Sequence, residues 1–141
     1  MFLLLFIPLT ANSPHNLSQK ELNKFTAKYG NKAKKRVLIW DSVVENAKGK
    51  KTLQKLKSVN DFFNKIRYKV DIKHWKKKDY WAAPFEFMGT GAGDCEDYAI
   101  AKYFTLRKLG IPDNKLRIMY VKYKGRSKGF EQAHMVLTYY H

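Results

Sequence analysis

The sequence predicts an α+β fold. Three observations carry this reading: apolar residues recur at helical spacing through the first half, a further helical pattern runs from Cys95 to Gly110, and two β-rich runs close the chain. At 141 residues the chain is one domain, long enough to bury a core but not to hold two. Its apolar content of 45%, with nine Phe and nine Tyr, excludes a disordered polymer.

The amino terminus reads "MFLLLFIPLTANSPHN". The apolar run is too short to span a bilayer but fits the h-region of a secretory signal, with Ala11 as a small residue at the cleavage point. A cut after Ser13 would put Pro14 directly past the scissile bond. Residues 1–11 are therefore expected to be a signal peptide and 18–141 the folded domain, which predicts an exported, periplasmic protein. No Lys or Arg precedes the run, so a misplaced start codon or a buried amino-terminal segment is the alternative.

The first helix opens at "LSQKELNKFTAKYG", where Ser18 and Glu21 form a capping-box pattern, Leu22, Phe25 and Tyr29 share a face, and Gly30 can end it. Val37, Trp40 and Val44 mark a second helix that stops near Gly49. Leu53, Leu56, Val59, Phe63 and Ile66 mark a third, with lysines opposite. From Asp71 to Met88 periodicity is lost in an aromatic-rich segment that reads as a long loop of the kind that carries function. "CEDYAIAKYFTLRKLGIP" is the clearest helix, ended by Gly110 and Pro112. "KLRIMYVKYK" and "QAHMVLTYYH", joined by "GRSKGFE", read as a β-hairpin.

Cys95 is the only cysteine, so in an exported protein it is either inert core or a reactive thiol. It falls in the first turn of its helix, where unpaired N–H groups and the positive end of the helix dipole favour a thiolate and lower its pKa. Its own N–H could serve an oxyanion hole, and the glycines at 89, 91 and 93 would let the backbone turn and approach a substrate. Thiol catalysis also needs an imidazole. His15 adjoins the expected signal, His74 falls in the irregular segment and His141 is the last residue, whereas His134 sits inside the second strand, where packing beside the helix would aim it at the thiol. The bland reading is a satisfied core histidine and a small buried cysteine, and spacing alone does not separate the two.

The blocks "GDCEDYAIAKY" and "AHMVL", with "DYWAAPFEFMGTGAGDCEDYAIAKYFTLRKLGIP", "LRIMYVK" and "QAHMVLTYY", resemble the bacterial transglutaminase-like cysteine proteinases, the LapG-type periplasmic proteases that clip large surface adhesins. The resemblance covers everything from the second helix onward. It implies a papain-like, transglutaminase-like core with the nucleophile helix packed on an antiparallel sheet, Cys95 as nucleophile and His134 as general base. The family's third member, an Asp that orients the histidine, falls shortly beyond the "AHMVLTYY" strand, and no residue here matches it. Asp113 and Glu131 are poor substitutes by position. The expectation is therefore a truncated product or a fragment lacking its C-terminal strands. Loss of the orienting carboxylate costs about 10⁴ in rate in a serine triad, and a missing strand would leave an unpaired sheet edge.

Asp94, Glu96 and Asp97 flank the cysteine. Capping and dipole compensation account for one such acid; three hard carboxylates within four residues suit calcium. The resemblance points the same way, since the family's calcium requirement is carried by the acids beside its cysteine. An empty site would set three carboxylates against the thiolate, and bound calcium would offset them.

The 28 Lys and Arg against 12 acids give a net charge of +16, which suggests an anionic partner. "KAKKR", "KGKK" and "KHWKKK" read first as solvated faces. Trp75, Tyr80 and Trp81 interleave with lysines as in single-strand nucleic-acid binders, but no nucleic-acid motif appears and export argues against that partner. A basic face could instead dock an acidic substrate or a membrane-anchored regulator. Trp81 and Phe85 read either as walls of the nucleophile's cleft or as core.

The resulting expectation is a calcium-dependent periplasmic cysteine endopeptidase, monomeric or weakly dimeric. By resemblance it cuts the amino-terminal region of a large adhesin in biofilm release, and an inner-membrane cyclic-dinucleotide receptor holds it inactive. The alternatives are an inactive fragment that binds calcium or a receptor, and acyl transfer to an amine in place of water.

Overall fold

The computed structural model describes residues 17–124, 129 and 131–141. The expected signal peptide lies outside the described residues. No described helix is long and apolar enough to cross a membrane.

Three helices come first: α1 (Gln19–Tyr29), α2 (Asn31–Ala47) and α3 (Thr52–Phe63). The predicted capping box forms at α1, where Ser18 N–H donates to Glu21 Oε2 at 2.8 Å and Glu21 N–H donates to Ser18 Oγ at 3.2 Å. Gly30, with φ +85°, separates α1 from α2 by one residue. On α2 the buried Ala33, Val37, Trp40, Val44 and Ala47 repeat at three- and four-residue intervals, which turns one stripe of a highly charged helix into the core. Val59, Phe62 and Phe63 of α3 meet that stripe.

The segment expected to be a long loop holds four short elements. They are β1 (Arg67–Tyr68), α4 (Asp71–His74), α5 (Pro84–Thr90) and β2 (Ala92–Gly93). Each spans two turns or less, too short for a periodic pattern to emerge from the sequence. Pro84 sits at the start of α5, where its missing N–H is no loss. Strands β1 and β2 pair in parallel, Arg67 with Ala92 and Tyr68 with Gly93, and Lys69 N–H donates to Gly93 O at 2.8 Å. This short ladder fixes the backbone immediately before Cys95.

Helix α6 (Cys95–Lys108) is central, with Ala99, Ala101, Thr105 and Leu106 buried. The Trp40 indole donates to Thr105 Oγ1 at 3.0 Å across the core, giving the buried indole N–H its partner. At its end, Gly110 (φ +83°) donates to Arg107 O and Ile111 to Leu106 O, the paired bonds of a Schellman stop. The antiparallel hairpin β3 (Leu116–Lys124) and β4 (Glu131–Tyr139) follows, pairing Leu116 with Tyr139 and Val121 with His134. Met135 is buried, and Leu137 and Tyr139 pack against the core, so alternate residues of β4 face α6. The α+β class and the helix-on-antiparallel-sheet arrangement are as the sequence predicts.

Candidate active site

Helix α6 begins in a bed of buried carboxylates. Its N-cap is Asp94, and Asp97 one turn later reaches back. Asp97 is fully buried, with Oδ1 accepting Ala82 N–H at 2.8 Å and Oδ2 accepting Asp94 N–H at 3.2 Å. One side chain therefore ties the 79–83 segment to the start of α6. Gly93 makes room for it: a Cβ there would overlap Asp97 Oδ2 and lie 2.7 Å from the Phe87 ring. Gly91 adopts the left-handed φ of +70° and abuts the guanidinium of Arg36, which donates to Met88 O. The backbone approaches these two glycines permit are to the protein's own side chains, rather than to a substrate as their spacing suggests.

Two further acids, which the sequence reading did not single out, join the cluster. Asp71 is buried; its N–H donates to Asp94 Oδ2 at 3.2 Å, and its Oδ2 accepts Tyr80 N–H. Asp79 is exposed and accepts the Trp81 indole N–H at 2.9 Å. Ligand atoms within 4.8 Å of one another come from three overlapping sets: Asp94 with Cys95 and Glu96, Asp71 with Asp94 and Asp97, and Asp71 with Asp79 and Glu96. Asp71 Oδ1 and Asp94 Oδ1 are buried with no hydrogen-bond partner. Unpartnered buried carboxylate oxygens are costly, and a hard cation is the group such oxygens suit. The donor set therefore fits calcium. The sequence carries no motif for the added acids: Asp71 and Asp79 stand apart on either side of the lysine run "IKHWKKK".

Burial, then Glu96 and Asp71, push the Asp94 carboxyl up to about 8. Burial pushes Asp97 up to about 6 and raises Asp71. Burial also opposes the charge on Glu96, but hydrogen bonds from the Cys95 thiol and its own amide outweigh it and hold that carboxyl below its ordinary value.

Cys95 is half-buried, and its thiol donates to Glu96 Oε2 at 2.9 Å. Burial and then the Glu96 bond push the thiol up to about 11, although the Met135 backbone N–H works the other way. This is the direction expected with the flanking carboxylates uncompensated by an ion, and it runs against the helix-dipole effect taken alone. The helix dipole is present, but desolvation and adjacent carboxylates outweigh it. Tyr68 and Tyr120 stand close enough to the thiol to feel its charge, and both phenols are raised, first by burial.

Cys95 and His134 line one cavity of about 620 Å³ between α3, α6 and β4. Tyr68, Tyr98, Lys102 and Met135 contribute to the same walls. The residue that β4 buries beside the helix is Met135, and His134 is half-exposed on the alternate face with Val136 and Thr138. Among the described residues the thiol and the imidazole share no hydrogen bond; the thiol's partner is Glu96. Of the two aromatics weighed as cleft walls, neither lines this cavity. Phe85 packs edge-on against Trp40 at 5.7 Å, and Trp81 holds Asp79.

An α+β domain that presents a cysteine at the start of its central helix, beside a strand bearing a histidine, is a framework of thiol proteases. A family model described as bacterial transglutaminase-like cysteine proteinase matches residues 23–140, and the chain belongs to that family. Among solved structures it is similar to calcium-bound LapG of Legionella pneumophila, with 40% identity and a TM-score of 0.70, covering 88% of this chain and 66% of that one. EGTA-treated LapG of the same organism matches at 39% identity and a TM-score of 0.70, covering 89% and 66%. The chain thus spans just under two thirds of those structures' length. No curated protein sequence matches it.

Proposed function

We propose that this protein is a calcium-dependent cysteine endopeptidase of the periplasm that cleaves the amino-terminal region of a large surface adhesin. The carrying observation is that Cys95, at the start of α6, shares a cavity with His134 and borders a carboxylate cluster holding two unpartnered buried oxygens. The calcium-bound state of the similar LapG structure supports the cation. Asp94 and Glu96, joined by Asp71 and Asp79, would hold it, and Asp97 adjoins them while bracing the backbone. When bound, the ion supplies positive charge that offsets the carboxylates facing the thiol.

In this reading Cys95 Sγ attacks the scissile carbonyl as its proton passes to His134. The developing oxyanion meets the backbone N–H groups at the helix start. His134 then protonates the leaving amine, and water, deprotonated by the same imidazole, releases the acyl group. Freeing the thiol from Glu96 precedes the first step, because that bond now occupies its proton. An inner-membrane cyclic-dinucleotide receptor is the proposed regulator.

The test is incubation of the protein with a recombinant amino-terminal adhesin fragment, in calcium and in chelator. Cleavage in calcium, lost in chelator and in Cys95→Ala, supports the proposal; cleavage that survives Cys95→Ala sinks it. A second reading, a calcium- or receptor-binding module without turnover, is favoured by the thiol's pairing with Glu96 instead of His134. It predicts calcium binding with no cleavage under any condition.

A further inference from the structure

We propose that the groove between α2 and α3 is a docking site for an acidic amphipathic helix of a partner protein. The two helices are joined by only four residues, 48–51, so they run antiparallel as neighbours. Between them lies a groove of about 510 Å³. It is distinct from the Cys95 cavity, because α3 stands between the two. That helix turns Ser58 and Phe62 to the groove and Val59 and Asn60 to the cavity.

The groove follows α2 from Lys32 to Asn46, roughly 21 Å at 1.5 Å per residue, the length of about four helical turns. Its apolar lining comes from Ile39 and Val43 on α2 and from Phe62 and Ile66 on the other side. Ile39 is 47% exposed, a large apolar side chain in contact with water at mid-groove. Two parallel ridges with an apolar floor suit the apolar stripe of a third helix.

Charge selects the occupant. Lys32, Lys35 and Arg36 lie at the first turns of α2, and Lys65 lies just past the end of α3. Because the helices run antiparallel, Lys32, Lys35 and Lys65 gather at one end of the groove, where Arg36 lines the wall with its guanidinium held by Met88 O. The acid in the lining, Asp61, is held by Lys57 at 2.6 Å. Helix α2 also has no acid in its first turn and no side-chain cap, so its positive dipole end adds to the same potential. The lining at the far end, Asn46 and Ser58, is uncharged, and of the lysines in the connection beyond it Lys48 is paired with Glu45. A fitting helix therefore carries an apolar stripe along its length and carboxylates clustered over Lys32, Lys35 and Lys65. A nucleic acid would use the cations but leave the apolar floor without a partner.

The site stands apart from the catalytic reading, so its test uses no turnover. A fluorescein-labelled 14-residue helical peptide, with Leu at three- and four-residue spacing and Glu clustered at one end, is titrated with the full chain by anisotropy. We expect saturable binding that weakens at least about tenfold in a Lys32→Glu/Lys35→Glu/Lys65→Glu variant and, separately, in Ile39→Glu. A variant reversing Lys20, Lys24 and Lys108 makes the same change in net charge away from the groove and is expected to bind as wild type. All these positions are exposed, so circular dichroism should be unchanged throughout. Equal binding of a scrambled, non-amphipathic peptide, equal weakening by the two triple reversals, indifference to Ile39→Glu, or no binding would each overturn the proposal. Tighter binding of a single-stranded oligonucleotide, unaffected by Ile39→Glu, would overturn it in favour of a general polyanion surface.

Discussion

The two sides of Cys95 are built differently. On the carboxylate side, Asp71, Asp94 and Asp97 are buried and cross-linked through the backbone amides of Asp71, Tyr80, Ala82 and Asp94. On the imidazole side, His134 reaches the same cavity on a two-stranded hairpin and makes no bond to the thiol. The first side is structural as well as chemical: removing an acid there unties chain segments. The second can be altered with little structural cost. Stability and chemistry should therefore separate when the two sides are mutated, and that separation is measurable.

The largest effect belongs to the loosely built side. If His134 is the general base, His134→Ala should lower adhesin-fragment cleavage by about two to four orders of magnitude. Its half-exposed position predicts a change in unfolding free energy within about 0.5 kcal/mol. Cleavage by gel densitometry and urea denaturation of the same sample measure both. A matched loss of stability would show that the hairpin side is not independent after all.

The converse change is Asp97→Ala. It leaves the buried amides of Ala82 and Asp94 without acceptors, at about 1–3 kcal/mol each, and should lower unfolding free energy by about 2–6 kcal/mol. Asp97→Asn keeps one acceptor oxygen and should lose less. If both variants unfold at the wild-type urea midpoint, the amide-capping account fails. Gly93→Ala attacks the same support from the other direction. Its methyl would collide with Asp97 and the Phe87 ring and should cost about 1–3 kcal/mol by overpacking, read as a lower urea midpoint at constant slope.

The same contrast explains what the sequence discloses. Long periodic helices and the hairpin are visible because each repeats its apolar signal several times, as α2 does from Ala33 to Ala47. Cys95, His134 and the acids beside the cysteine are visible as local motifs. Asp71 and Asp79 are not, because they arrive from a segment whose elements are two turns or less, and only folding brings them to Asp94 and Glu96. The thiol's upward shift is legible only in part, because the flanking acids are local in sequence while burial, its largest cause, is not. A helix start is legible in sequence, whereas burial and the Glu96 contact that outweigh its dipole are three-dimensional facts. Glycines 91 and 93 are legible as turn formers, but what they accommodate is not: Arg36 at Gly91 is distant in sequence, and Phe87 and Asp97 reach Gly93 only through the fold.

The smallest effect is thermal and follows from the carboxylate side alone. The Asp94 carboxyl is raised to about 8 from an ordinary 3.8, so the ion-free fold binds a proton there that the unfolded chain releases. Stability from that proton is fully present below about pH 4 and is lost as pH rises through the folded value near 8. Asp97, raised to about 6, acts in the same direction over the lower part of that window. Partial solvent access screens both, so the expected signal is a melting temperature a few degrees lower at pH 8 than at pH 5 in chelator. Calcium competes with protons for the same oxygens, so it should raise the melting temperature more at pH 8 than at pH 5. Scanning calorimetry in calcium and in EGTA at the two pH values reads both differences. A calcium increment equal at both pH values would mean that the ion does not draw on these carboxylates, and the structural and chemical roles assigned to this side of Cys95 would have to be separated.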